Sequence, residues 1–173
     1  MNDTAARSAS VEGGGGGMDG LEPIRRSITV ACSREHAFRT YTGAFDSWWP
    51  RQHHIGAGEL AEAVLEPKAG GRWYERTVDG AECDWGEVLV WEPPARVVLS
   101  WRIDGDWRID PDPANASEIE VRFIEEGPRS TRVELEHRNF ERHGETGPKV
   151  REGVSGEGGH GALLKLFAEK AAA

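Results

Sequence analysis

With 173 residues, 21 basic against 30 acidic side chains and a formal charge of -9, the chain has room for one domain with its own core. It offers little electrostatic attraction to phosphate backbones or anionic lipid surfaces. Nucleic acid is therefore not an expected partner, and no window is apolar enough to span a bilayer. The two cysteines, Cys32 and Cys83, lie far apart without Cys-x-x-Cys spacing, which supports neither a disulfide framework nor a zinc site.

Half of residues 1–22 are Ala, Ser or Gly, with an unbroken glycine run from Gly13 to Gly17. That composition cannot offset its own ordering entropy, so a disordered leader is expected there and one domain over 23–173. No apolar core segment follows Arg7, so no secretory signal is read, and reduced thiols in the cytoplasm are the simplest expectation. Near Pro23 a strand begins, with Ile24, Ile28 and Val30 set against Arg25, Ser27 and Thr29. Ser33 then stands where it can cap a short helix carrying Ala37, Phe38 and Tyr41. A second short helix or turn holds Phe45, Trp48 and Trp49 and stops at Pro50.

Six further strands are predicted, over 60–66, 71–78, 83–91, 96–104, 118–125 and 131–139. The turn chemistry between them, sharpest at Asp79-Gly80, makes neighbours antiparallel. Val97, Leu99, Trp101 and Ile103 share a face, as do Ile119, Val121 and Phe123, and Val133 and Leu135 oppose Arg132, Glu134 and Glu136. The stretch 83–91 has apolar residues on both faces, and its orientation stays open. A helical turn over 148–154 and a helix over 160–172, striped by Leu163, Leu164 and Phe167, complete the chain. The helix should cover the apolar side of the sheet, because each needs a partner for its apolar face. The fold class is therefore α+β: a curved antiparallel sheet of about seven strands, two short helices after the first, and a long C-terminal helix over the sheet.

This order and several strings resemble the SRPBCC superfamily, also described as the START or birch-pollen-allergen helix-grip fold. The nearer likeness is to its bacterial branch named after the C-terminal domain of the activator of the heat-shock-protein-90 ATPase. The strings are Ile24-Arg25-Arg26-Ser27-Ile28-Thr29-Val30 leading to Ala37-Phe38, Gly70-Gly71-Arg72-Trp73, Trp85-Gly86-Glu87-Val88-Leu89, Trp91-Glu92-Pro93-Pro94 and Leu99-Ser100-Trp101. Where such proteins often carry Gly-Gly-Trp before the last helix, this chain has Gly158-Gly159-His160. The resemblance implies a cavity between the long helix and the sheet, used across the superfamily for hydrophobic molecules. It implies no shared catalytic motif.

The seven tryptophans are the most telling feature, and Trp48, Trp49, Trp73, Trp85 and Trp101 are candidates for a pocket wall, with core packing an equal alternative. His137, His160 and Leu164 join them as candidate ligand contacts, and His137 and His160 are the candidates for any proton exchange. The plain reading of His137 is a hydrogen-bonded interior or rim histidine. His53 and His54 are adjacent and should point oppositely on an extended chain, so no metal is expected. Glu75, Glu82, Asp84 and Glu87 read as a solvated strand face, with Arg72, Arg76 and Arg102 as cross-strand partners. No nucleophile elbow, phosphate loop or dinucleotide fingerprint appears, so no cofactor is expected. The leading function is binding of a small hydrophobic or aromatic molecule. The alternatives are a cyclase, dehydratase or hydrolase using a cavity histidine, and an interaction module stimulating a chaperone ATPase. A homodimer is compatible with a domain of this size.

Overall fold

A computed structural model describes residues 21–173, and the glycine-rich leader, apart from Leu21 and Glu22, lies outside the described residues. At the start of the described residues Leu21 is buried and the Arg151 guanidinium donates to the Glu22 carbonyl at 2.8 Å. The elements run β1 (Ile24–Val30), α1 (Arg34–Tyr41), α2 (Phe45–Trp48), β2 (Leu60–Leu65), β3 (Arg72–Thr77), β4 (Glu82–Glu92), β5 (Arg96–Trp101), β6 (Ser117–Gly127) and β7 (Ser130–Arg138). Two helices, α3 (Gly147–Ser155) and α4 (His160–Ala172), end the chain, with 3-10 turns at Pro113–Asn115 and Phe140–Thr146.

The strands form one seven-stranded antiparallel sheet in the order β1-β7-β6-β5-β4-β3-β2. Consecutive strands from β2 to β7 are neighbours, as hairpin connections dictate, and β1 adds to β7 at the far edge. The Asp79-Gly80 turn forms with Gly80 at φ 90, a conformation that glycine adopts without a Cβ penalty. Ser33 accepts from the His36 backbone N–H at 3.2 Å and caps α1.

One face is wet. On β6 and β7, Arg138 bridges Glu118, Glu120 and Glu136, and Arg96 reaches Glu120 from β5. The opposite, concave face carries Val97, Leu99, Ile119, Val121, Phe123, Val133 and Leu135, all buried. Helix α4 closes the half-barrel through Phe167, which is fully buried and stands 5.3 Å from the Tyr41 ring and 5.8 Å from Trp48. Burying a ring of this size contributes about 2–3 kcal/mol. Phe38 fills the same side, 5.1 Å from Trp91 and 5.2 Å from Phe123.

Two departures from simple alternation decide what the sheet presents. Strand β4 carries bulges: Trp85 is the extra residue between the pairs Trp73↔Gly86 and Tyr74↔Asp84, and Leu89 is extra between Val88↔Leu99 and Val90↔Val98. Each bulge shifts parity, so Trp85 and Val88 are both buried while Leu89 is exposed. Strand β5 ends at Trp101, short of the expected Asp104. There the Asp104 carboxylate accepts the backbone N–H groups of Asp106 (2.8 Å) and Arg108 (3.1 Å), folding a loop whose tip, Trp107, has φ 60.

Candidate functional site

A cavity of about 450 Å³ opens at the end of the half-barrel where α4 begins. It takes only the first turns of α4, through His160, Leu163 and Leu164, because Phe167 and the α1–α2 aromatics fill the remaining space under the helix. Trp48, Trp49, Trp73, Trp85 and Trp101 all contribute to its wall.

Each indole is set by its own element. Helix α2 and the cap residue after it present Trp48 and Trp49, whose Nε1–H groups donate to the carbonyls of Thr40 (3.0 Å) and His53 (2.8 Å). Strand β3 supplies Trp73, whose Nε1 is buried without a partner among the described residues. The β4 bulge turns Trp85 inward, and its ring lies 5.5 Å from Trp73 at 88°, the edge-to-face arrangement that aromatic quadrupoles favour. Trp101, at the end of β5, is 5.6 Å from Trp73. Exposed Trp107 overhangs the mouth from the 102–110 loop.

Glu75 overturns the expectation of a solvated strand face. It is 0 % exposed, and its carboxylate accepts the backbone N–H groups of Ile55 (2.5 Å) and Gly56 (3.0 Å) and the Trp85 Nε1–H (2.8 Å). Three donors replace lost hydration, which is how a carboxylate tolerates burial. The residue latches the segment between α2 and β2 over the cavity, and His53 and His54 on that segment both reach the wall. Gly56 is required there, since a Cβ would stand 2.8 Å from Thr77 Cγ2. Alternation with buried Trp73 and Thr77 was the available signal. Of the arginines, Arg72 pairs with Asp84 and Glu82, whereas Arg76 pairs with Glu62 on β2. Among the described residues no group of three potential ligands able to hold a metal converges.

His160 opens α4 after Gly158, at φ 82, and Gly159, where a Cβ would fall 2.1 Å from the Val154 carbonyl oxygen. The tight α3–α4 turn thus needs its glycines and delivers an imidazole to the cavity. Burial, with the Arg26 cation nearby, pushes His160 down to about 4. Behind it, His137 Nδ1 shares a 2.8 Å hydrogen bond with His160 Nε2. His137 is on the concave face, as alternation with Val133 and Leu135 implies, but it is not part of the cavity wall. Phe140, 4.4 Å away, and His160 cover it. Burial, reinforced by His160 and then His143, holds it well below the usual histidine range. Sequence reasoning missed two further members: the Ser117 hydroxyl lies 2.7 Å from both His137 Nε2 and His143 Nε2. Nothing in the local pattern of either residue marks it.

The profile of the activator of Hsp90 ATPase homolog 1-like proteins matches residues 31–157. The chain belongs to this family. Among solved structures, the anthrahydroquino-gamma-pyrone synthase Txn09 is 41% identical, with a TM-score of 0.62 over 86% of this chain and 96% of that one. The self-sacrificing resistance protein CalC from Micromonospora echinospora is 34% identical, with a TM-score of 0.64 over 88% and 95%. Protein NE0264 from Nitrosomonas europaea, at 13% identity and a TM-score of 0.59 over 88% and 95%, shares the fold. No curated protein matches significantly. Helix-grip architecture in this activator-homologue-like domain therefore rests on sequence and structure together. No helix among the described residues is long and apolar enough to cross a membrane.

Proposed function

We propose that this protein binds a flat, largely apolar aromatic molecule in the tryptophan-walled cavity. The observation that carries this reading is an open volume of about 450 Å³ bounded by six indoles and three histidines. Interiors ordinarily close such space, and pockets for small molecules occupy this size range. The two most similar of the relatives above act in a pyrone synthesis and in resistance, and their likeness to this chain supports a small-molecule ligand. Titration with 1-anilinonaphthalene-8-sulfonate tests it: the reading expects saturable enhancement of dye emission. Trp101→Ala should weaken binding about tenfold, matching roughly 1.4 kcal/mol for a lost aromatic contact. Absence of saturable binding by this and other apolar dyes would refute it.

A second reading, favoured by His160 at the wall with His137 bonded behind it and by the synthase relative, is an enzyme in which His160 exchanges a proton with the bound molecule. It expects the pH profile of any turnover to move in His160→Gln. A profile unchanged after loss of both histidines would remove it.

A further inference from the structure

His160, His137, Ser117 and His143 join in one unbroken line of three hydrogen bonds, 2.8, 2.7 and 2.7 Å long. The line starts at the cavity wall, passes through two groups with 0 % exposure, and ends at His143, the most exposed of the four at 9 %. Its four members come from α4, β7, β6 and the Phe140–Thr146 turn. Among the described residues the side chains of His137 and Ser117 make no other hydrogen bond. His143 Nδ1 is buried with no partner among the described residues, an orphan that calls for an explanation.

Donor and acceptor counting leaves the line two arrangements while every group stays neutral. In one, His143 Nε2–H donates to Ser117, Ser117 O–H to His137 Nε2, and His137 Nδ1–H to His160 Nε2, leaving a proton on His160 Nδ1. In the other every bond is reversed: His160 Nε2–H donates to His137 Nδ1, His137 Nε2–H to Ser117, and Ser117 O–H to His143 Nε2. The proton then stands on His143 Nδ1, and His160 Nδ1 is bare. Burial penalises a lasting charge on His160, His137 or His143, all of which are held below the usual histidine range. A proton accepted at one end is therefore best passed on.

We propose that these four side chains are a proton wire that makes Ser117 and His143 positioning residues for His160. Starting from the second arrangement, a hydroxyl bound in the cavity gives its proton to His160 Nδ1. His160 Nε2–H passes to His137 Nδ1, His137 Nε2–H to Ser117 and the Ser117 proton to His143 Nε2, while His143, the member nearest the surface, gives up its Nδ1 proton to water when the Phe140–Thr146 turn opens locally. One proton enters, one leaves, and every side chain ends neutral. The reverse sequence delivers a proton to the cavity. His143 Nδ1 is the terminal farthest from the cavity; it is closed off in this structure, so proton release there requires local opening of the turn that buries it. The proposal rests on the cavity reading above and adds that the occupant's polarity is felt at His143.

Histidine-selective 15N NMR tests it on the full chain. Hydrogen bonding alone requires His160 and His137 to share one tautomer and His143 to hold the opposite one. The wire requires more: 9-fluorenone, which can only accept at His160, should set the His143 proton on Nε2, and 2-naphthol, a donor, should move it to Nδ1. Ser117→Ala should abolish that response while both probes still bind. Uncorrelated tautomers in the unliganded wild type would overturn the proposal without need of the variant. Binding of both probes with an unresponsive His143, or a response surviving Ser117→Ala, would overturn the wire and leave the cavity reading standing. Binding of neither probe would overturn both.

Discussion

Acidification from pH 7 should destabilise the fold through its buried histidines. His160 stands near 4 in the folded protein against about 6.5 unfolded. Between these values the unfolded chain binds more protons, so stability falls as pH falls from about 6.5 and stops falling below about 4. At pH 5 the unfolded histidine is almost fully protonated and the folded one almost fully neutral. Integrating between pH 7 and pH 5 gives a loss of about 2 kcal/mol from His160 alone, or about 4–8 °C in Tm. His137, also held neutral by burial, adds in the same direction. Glu120 does not obscure this window: burial raises its pKa, but hydrogen bonds from Arg138, Arg96 and Arg122 outweigh burial and lower it. Its contribution is present above the unfolded value and lost only as pH falls below about 4.5. Urea unfolding at half-unit steps from pH 7 to pH 5 measures the slope, and His160→Gln, which keeps a partner for His137 Nδ1, should lower it by up to about 1.4 kcal/mol per pH unit. A flat wild-type profile, or one with the same slope in the variant, would refute a buried neutral His160.

Glu75→Ala should cost about 3–5 kcal/mol, since Ile55 N–H, Gly56 N–H and Trp85 Nε1–H lose their acceptor together. Amide hydrogen exchange at Ile55 and Gly56 should accelerate, and unchanged protection would contradict the latch. Gly159→Ala should displace the start of α4, because its Cβ would meet the Val154 carbonyl at 2.1 Å; the His160 side-chain NMR signals should shift, and a spectrum like wild type would exclude that contact. Phe167→Ala removes a fully buried ring and should lower the unfolding free energy by about 3–5 kcal/mol in denaturant titration; a loss under about 1 kcal/mol would mean that α4 is not held by this ring.

Strands β5 to β7 were legible because one face is wet: period-two alternation survives where charged Glu118, Arg122, Glu134 and Glu136 face solvent opposite Val97, Val121 and Leu135. Strand β4 was not, because its two bulges at Trp85 and Leu89 change parity twice within a few residues, and bulges leave no mark in a pattern that is apolar on both sides. The end of β5 was missed for another reason, since Asp104 competes with the ladder by accepting local backbone N–H groups. At the site, the indoles were legible as a class because tryptophan is scarce. His160 stood out as a polar group where an indole was expected. Glu75 was visible in its alternation with Trp73 but was masked by the abundance of acidic residues. Ser117 and His143 were invisible: they meet across 26 positions, and nothing local distinguishes a serine that bridges two imidazoles from one at a strand end.

The central claim is that the cavity takes an aromatic molecule against its indoles. The indole region of a 15N–1H correlation spectrum, followed while 2-naphthol is added, tests it directly. The signals of Trp73, Trp85 and Trp101 should move together and saturably, with that of Trp91, which packs on Phe38 away from the cavity, unmoved. Motionless wall signals, or shifts confined to Trp91 and exposed Trp107, would contradict the account.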